Sequence, residues 1–590
     1  MKRTASTALL SESKKVRLQS AAVMATHIYN YMLSDPLVDW LKIQNRRGTR
    51  ANPEFSRTNG FSDFLMQKGI EFETKLIDYL DRNKLKVQKV AESFSEEGCK
   101  ETRRLMSRGV PILHSAPVMH SKYQTGGIID LLVRSDHLKK IVDESPLTHE
   151  ESIIKSPGLG GKPWHYVVVD IKFSTLPLRA DGVLLLNSGH YPAYKAQVWI
   201  YNQAVGEIQG YTPRYGYILG RRWRYTKKNV THSGLDCLDK LGVIDYKGAD
   251  KHYISKTEDA VAWVRDVREH ASEWSVNPPS RPELYPNMCI DSGVWNKEKA
   301  KIADMIGEIT SVWYCGIKHR SNAIEDSVMS WRDKKCTSKT IGMSGSRAPT
   351  VDAILNINRQ SKDKVRPDSI GTDLYEWRDT SEREVFVDFE TLSDIFADFE
   401  DLPHQRSMDM IFMIGVGWEE DGKWVYRSFT CTSSSRNEEY RIMDEFNSLM
   451  KEMDYPKMWC WHAEPNFWEK AENRQFELVS DENKVNICDK WEVNDWADLA
   501  KLFREEPIVV KGCFKFGLKE IAGALRKHKC ISAKMESECS SGMTAMVNAW
   551  KCYSTCDDPL ASPIMKDITA YNEWDCKVLW DILSYLRGNH

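Results

Sequence analysis

The first strong periodicity begins at Phe61. In FSDFLMQKGIEFETKLIDYLDRN, the residues Phe64, Leu65, Ile70, Leu76, Ile77 and Leu80 recur at helical spacing and predict a helix. Two β-rich runs follow, GGIIDLLVR at 126–134 and HYVVVDIKF at 165–173. HYPAYKAQVWIYNQAVG at 190–206 reads as a helix, and YTPRYGYILGRRWRY returns to strand. The order helix, strand, strand, helix, strand predicts an α/β sheet domain, closed near 275–285 by the breaker-rich NPPSRPELYP. Residues 290–345 read as mostly helical. From 381 strands resume: REVFVDFETL, then MIFMIGVGW and KWVYRSFTC as an antiparallel meander, then KMWCWH. Residues 493–586 read as largely helical. The pattern divides the α/β multidomain chain into a basic flexible segment 1–60, a mixed-sheet domain 61–285, a helical connector 286–380 and a second α/β domain 381–590.

Composition narrows the class. A length of 590 residues allows three or four domains. With 41% hydrophobic and 28% charged residues, the chain is neither disordered nor fibrous. Lys+Arg total 82 and Asp+Glu 84, so any basic surface is local. Two stretches qualify: 1–60, with ten Lys/Arg against four Asp/Glu, and 311–366, with eleven against five. Lys14-Lys15-Val16-Arg17 reads either as a nuclear address or as plain solvated tail. No apolar run reaches about 18 residues, so no membrane span is predicted. The start has a polar, charged continuation and does not read as a secretory signal. Fourteen cysteines without a CxxC pair read as reduced thiols in an intracellular, reducing compartment. His528, Cys530, Cys552 and Cys556 form a loosely spaced candidate zinc set.

Two groups of residues carry candidate chemistry. In VVVDIKF, Asp170 and Lys172 stand at i and i+2 of a strand and share a face. Asp130 ends GGIID on a neighbouring strand. Glu73, with Glu71 as its rival, lies on the preceding helix, four residues past Gly69. Three such carboxylates suit a hard cation such as Mg²⁺ or Mn²⁺, and Lys172 suits a bound water or a phosphoryl oxygen. Gln197 and Tyr201 are one helical turn apart. Taken singly, each element is also an ordinary solvated or structural pair. The second group is Asp388 and Glu390 at i and i+2 in VFVDFETL, with Tyr571 and Asp575 one turn apart in YNEWD. Glu464 in WCWHAEPNFW supplies a further carboxylate, and Asp498 in WADLAKLFRE is the alternative.

The ordered set GIEFE (69–73), GIID (127–130), DIK (170–172) and QVWIY (197–201) resembles the PD-(D/E)xK nuclease superfamily, in its RecB/Cas4-like branch. The resemblance implies a restriction-endonuclease-like fold. It implies metal binding by Glu73, Asp130 and Asp170, catalysis by Lys172, and contact of Gln197 and Tyr201 with DNA. No proline precedes Asp130, and Phe72 stands where a histidine is common. The cysteines that hold an iron–sulfur cluster in many relatives have no counterpart, so no cluster is expected. The DxE strand and the YNEWD helix resemble the tyrosine form of the DEDD exonucleases, which implies an RNase H-like fold and two metal ions. By that likeness Asp388, Glu390, Glu464 and Asp575 hold metal and Tyr571 orients the attacking water.

Between them, SVWYCGIKHRSNAIEDSVMSWRD resembles a connector found in fused relatives. Gly316 would allow a helix-hairpin-helix turn, with Lys318, His319 and Arg320 meeting phosphate; an ordinary helical linker fits equally. The expected function is a metal-dependent nuclease acting on DNA in replication, recombination or repair, in the nucleus or another site of DNA replication. RNA stays open as a substrate, and the sequence names no protein partner. The alternatives are a single live RecB-like site beside a binding-only RNase H-like domain, and a non-enzymatic nucleic-acid scaffold.

Overall fold

The structure is a computed structural model. It describes residues 22–46, 60–359, 362–380, 383–396, 399–405, 409–478, 491, 495–534, 537, 539 and 541–590. The candidate address at 14–17 lies outside the described residues.

The first domain is built on an eight-stranded sheet. Its strands are β1 (Val23–Met24), β2 (Val87–Lys89), β3 (Ile112–His120), β4 (Thr125–Arg134), β5 (Tyr166–Pro177), β6 (Tyr215–Lys227), β7 (Val230–Gly234) and β8 (Gly242–Asp245). The order β2-β3-β4-β5-β6-β7 mixes directions: β3-β4-β5 is antiparallel and β5-β6 parallel, with β1 beside β4 and β8 beside β6. The predicted run of two strands before the second helix omitted β3. Helices cover both faces: α1 (Leu37–Arg46), α2 (Gly60–Arg82), α3 (Glu96–Ser107), α4 (Tyr191–Gln209) and α5 (Tyr253–His270). The near-continuous apolar run of β5 follows from this double cover. Val167, Val169 and Ile171 face Phe72, Leu76 and Leu80 of α2, while Tyr166 and Val168 join the core under α4.

Residues 22–46 are not a flexible arm. Val23, Ile28, Leu37, Trp40 and Leu41 are buried in this core, and the Trp40 indole donates to the Ala271 carbonyl at 2.9 Å. The composition of 1–60 concealed them because its charge lies on other residues of the same stretch.

The connector has its own small core, which includes Ile309, Val312, Val328, Trp331, Val351 and Leu355. It carries α6 (Asn296–Ile306), α7 (Ile317–Glu325), α8 (Arg347–Arg359) and β9 (Val365–Arg366). The C-terminal domain follows with β10 (Glu384–Leu392), β11 (Met410–Glu420), β12 (Lys423–Thr430), α9 (Arg436–Glu452), β13 (Lys457–Cys460), α10 (Glu464–Leu478), β14 (Trp496–Asp498), α11 (Leu499–Glu505), β15 (Val509–Val510), α12 (Leu518–Lys527), α13 (Gly542–Thr555) and α14 (Pro563–Asn589). Its sheet runs β12-β11-β10-β13-β14. The meander β10-β11-β12 is antiparallel as expected, and β13 and β14 are parallel to β10. β9 pairs with β15, tying the connector to this domain.

Two elements join the halves. α2 places Phe64 in the C-terminal core and Phe72 in the N-terminal one. The segment after β10 returns to the first sheet, where Phe399 and Leu402 pack beneath α2.

Candidate active sites

Asp170 and Lys172 alternate away from the apolar side of β5 that α2 covers, which aims both toward α4. Asp170 is fully buried, and the Lys172 ammonium lies 2.7 Å from its Oδ2. Gln197 of α4 donates to Asp170 Oδ1 at 3.4 Å and to the Tyr201 hydroxyl at 3.1 Å. Asp130 accepts from the Ile171 amide at 2.8 Å. Burial, together with repulsion from Asp170 and Glu73, raises the Asp130 carboxyl well above its ordinary range, against the pull of Lys172. Burial alone would lower Lys172, but attraction from Asp170 and Asp130 outweighs it and keeps the ammonium charged.

Glu73 is the inward acid of the helix: its Oε1 lies 2.8 Å from His114 Nε2, whereas Glu71 pairs with Lys68. His114, on β3, escaped the sequence reading because it is 41 residues from Glu73 along the chain. Tyr201 is not in a groove. It is buried, with Gly127 so close that a Cβ there would meet its ring at 3.0 Å. It supports Gln197, which is the more accessible of the two. Gly69 is not needed for close approach, since a Cβ there would reach only Phe173 at 4.0 Å.

The second group is tighter. Asp388 and Glu390 on β10 and Asp575 on α14 bring one carboxylate oxygen each within 4.8 Å of one another, the sole such acid, His or Cys cluster among the described residues. The candidate zinc set His528, Cys530, Cys552 and Cys556 therefore does not assemble. α14 begins sharply at Pro563, with the Ser562 hydroxyl accepting from the Ile564 amide. Helical spacing then puts Tyr571, Asn572 and Asp575 on the side facing β10. Asn572 donates to Asp388 Oδ2 at 2.8 Å and to its main-chain oxygen at 3.1 Å. Gly415, paired with Asp388 across the sheet, leaves room for this: a Cβ there would fall 1.6 Å from Asn572 Oδ1.

Burial first, then Asp575, Glu390 and Glu464, raise Asp388 well above the ordinary carboxyl range. Burial and Asp575 do the same to Glu390. Burial lifts Asp575 to about 6 even though Lys519 and the Tyr571 hydroxyl pull it down. Asp575 Oδ1 is buried without a hydrogen-bond partner. One half-buried and two buried acids that repel one another, with an orphaned oxygen, fit a hard divalent cation.

Glu464 opens α10 and is buried, with Oε2 unpartnered; burial, then the charge of Asp498, lifts it to about 7. It acts on Asp388 and Glu390 electrostatically but stands outside the three-acid cluster. Asp498, the alternative, caps α11 by accepting from the Lys501 amide and lies 3.4 Å from Arg504. Lys519, from α12, was missed. Its ammonium donates to the Tyr571 hydroxyl and lies 4.1 Å from that ring's centre. It belongs to no local pattern; only the packing of α12 on α14 brings it in.

The connector residues do not form a phosphate turn. Gly316 caps α7, and its amide already donates to His319 Nδ1 at 3.0 Å. Arg320 is nearly buried, bonded to the Pro286 carbonyl at 3.0 Å and to Glu308 at 3.2 Å. Lys318 is exposed.

The RNase_H superfamily model matches residues 395–587. The C-terminal domain is therefore RNase H-like. The match begins just past the strand that carries Asp388 and Glu390 and includes Glu464, Lys519, Tyr571 and Asp575. No curated protein and no solved structure matches the chain. No helix of the described residues is long and apolar enough to cross a membrane.

Proposed function

We propose that the chain is a metal-dependent nuclease that cleaves phosphodiester bonds of DNA, with a 3′-5′ exonuclease-like site in the RNase H-like domain and a RecB/Cas4-like site in the N-terminal domain, serving replication, recombination or repair. The observation that carries the reading is the cluster of half-buried Asp388 with buried Glu390 and Asp575 within an RNase H-like domain. Mg²⁺ or Mn²⁺ held there would lower the pKa of a bound water and offset charge on the phosphate. The protein's own part is positioning. Asn572 fixes the Asp388 carboxylate, and Lys519 holds the Tyr571 hydroxyl at the edge of the cluster, where it can orient the attacking water. At the other site, Asp170 and Asp130 keep Lys172 protonated and aimed, suited to a phosphoryl oxygen.

A second reading has only the C-terminal site active. It is favoured because, among the described residues, only the C-terminal acids bring three carboxylates together.

The test is cleavage of end-labelled single- and double-stranded DNA with Mg²⁺ or Mn²⁺, comparing wild type with Lys172→Ala, Asp388→Ala and the double variant. The two-site reading expects each single variant to lose a different product pattern. If Asp388→Ala alone abolishes all products, the second reading replaces it. If wild type cuts neither DNA nor RNA, both readings fall.

A further inference from the structure

A cavity lined by Tyr29 lies one aromatic ring, that of Tyr194, away from Lys172. It has a volume of about 380 Å³, inside the roughly 300–1,000 Å³ typical of small-ligand sites. Tyr29, His190 and Trp295 line it; the Tyr29 and His190 rings lie 5.9 Å apart at 15°, with the Tyr29 hydroxyl 2.6 Å from His190 Nδ1. The floor holds Asp35, which is 1% exposed. Its Oδ2 accepts from Lys299 at 2.6 Å and from the Ser292 hydroxyl at 2.5 Å, so the charge is neutralised. Its Oδ1 is buried with no partner. A buried acceptor left open in a cavity calls for an N–H donor. Lys42, exposed, stands at the rim.

The cavity connects to the chemistry through aromatic rings. Tyr29 lies 6.4 Å from Tyr194, and the Lys172 ammonium lies 5.0 Å from the centre of the Tyr194 ring. An aromatic lining, a neutralised buried acceptor and a nearby cation match a nucleobase: its faces stack, its edge supplies N–H groups, and its phosphate stays outside.

We propose that this cavity takes one unpaired base of a single-stranded nucleic acid whose neighbouring phosphodiester lies at Lys172. The assignment rests on the reading of the Lys172 group as a nuclease site. It makes Asp35, Tyr29, His190 and Trp295 binding residues of that site, supplied by segments outside the strands and helices that carry the acids.

Ser62, exposed on α2 and lining the cavity, offers a test that spares these contacts. The binding of a fluorescent single-stranded oligodeoxynucleotide would be measured by anisotropy in Ca²⁺, using the full chain. Ser62→Trp, which fills the space, is expected to weaken binding about tenfold, the scale of one lost stacked base. An abasic site walked along the oligonucleotide should weaken wild-type binding by a similar factor at one position, and should cost Ser62→Trp nothing further there. A 5-iododeoxyuridine at that position should crosslink wild type at Tyr29, His190 or Trp295, which keeps the test open should Ser62→Trp misfold. If cleavage depends on Lys172 but no abasic position matters, or crosslinks form only elsewhere, the base pocket is overturned and the nuclease reading stands. If wild type neither binds nor cuts the oligonucleotide, the nuclease reading fails and the pocket fails with it.

Discussion

The Arg221 guanidinium of β6 donates to the main-chain carbonyl of Asp394 at 2.6 Å, and both Arg221 and Arg222 pair with the Asp394 carboxylate. Asp394 is four residues past Glu390, and Arg221 follows Gly220, the partner of Lys172 across the first sheet. These pairs thus tie β6, the neighbour of the strand that carries Lys172, to the segment just past β10. Burial pulls Arg221 down to about 10, so loss of its partner is costly. Asp394→Ala should destabilise the chain by about 3–5 kcal/mol, as for one side of a buried pair. Asp394→Asn should cost less, because the amide still accepts a hydrogen bond. Denaturant unfolding of the two variants checks this; equal, small losses would show that the pair is not a structural tie.

Gly415 should tolerate no side chain. Gly415→Ala would place a methyl where Asn572 reaches Asp388. The C-terminal activity is expected to fall at least tenfold while Lys172-dependent products persist. Asn572→Ala should reproduce the loss, and product analysis on end-labelled DNA distinguishes the two sites.

The metal-free cluster should lose stability as pH rises. Asp575, at about 6, keeps its proton in the folded chain where the unfolded chain has released it. That contribution is full below the ordinary carboxyl value, near pH 4, and is lost as pH rises toward 6. His165 acts in the opposite sense: burial lowers it to about 4, so its contribution is lost as pH falls from about 6.5. The difference between wild type and Asp575→Asn isolates the acid. In EDTA, the wild-type advantage in Tm should shrink from pH 4 to pH 7. Added Mg²⁺ or Mn²⁺ should restore it, more at pH 7 than at pH 5.

Lys519 should tune the same acids. Lys519→Met removes the cation that lowers Asp388, Glu390 and Asp575. The acidic limb of the C-terminal activity profile is expected to move to higher pH, with Lys519→Arg restoring much of it. An unmoved limb with lower activity throughout would assign Lys519 to holding Tyr571 alone.

Trp40 should behave as core. Trp40→Ala, which deletes a buried indole and its bond to Ala271, should cost about 3–5 kcal/mol by equilibrium unfolding. A flexible arm would show no change.

Local periodicity determined much of this protein. Asp170 with Lys172 and Asp388 with Glu390 share strand faces because side chains alternate with period two. Tyr571 with Asp575 and Gln197 with Tyr201 share helix faces because a turn is 3.6 residues. Those rules need only neighbours in the chain, so these local pairs and the antiparallel meander were readable from sequence. Tertiary packing decided the rest. His114 meets Glu73, Asn572 meets Asp388 and Lys519 meets Tyr571 across 41, 184 and 52 residues. It buried Arg320 and Tyr201, which their polar ends had marked as free for nucleic acid, and it drew residues 22–46 into the first core. Contacts between distant segments depend on which surfaces pack once the sheets form, and no local spacing encodes that choice.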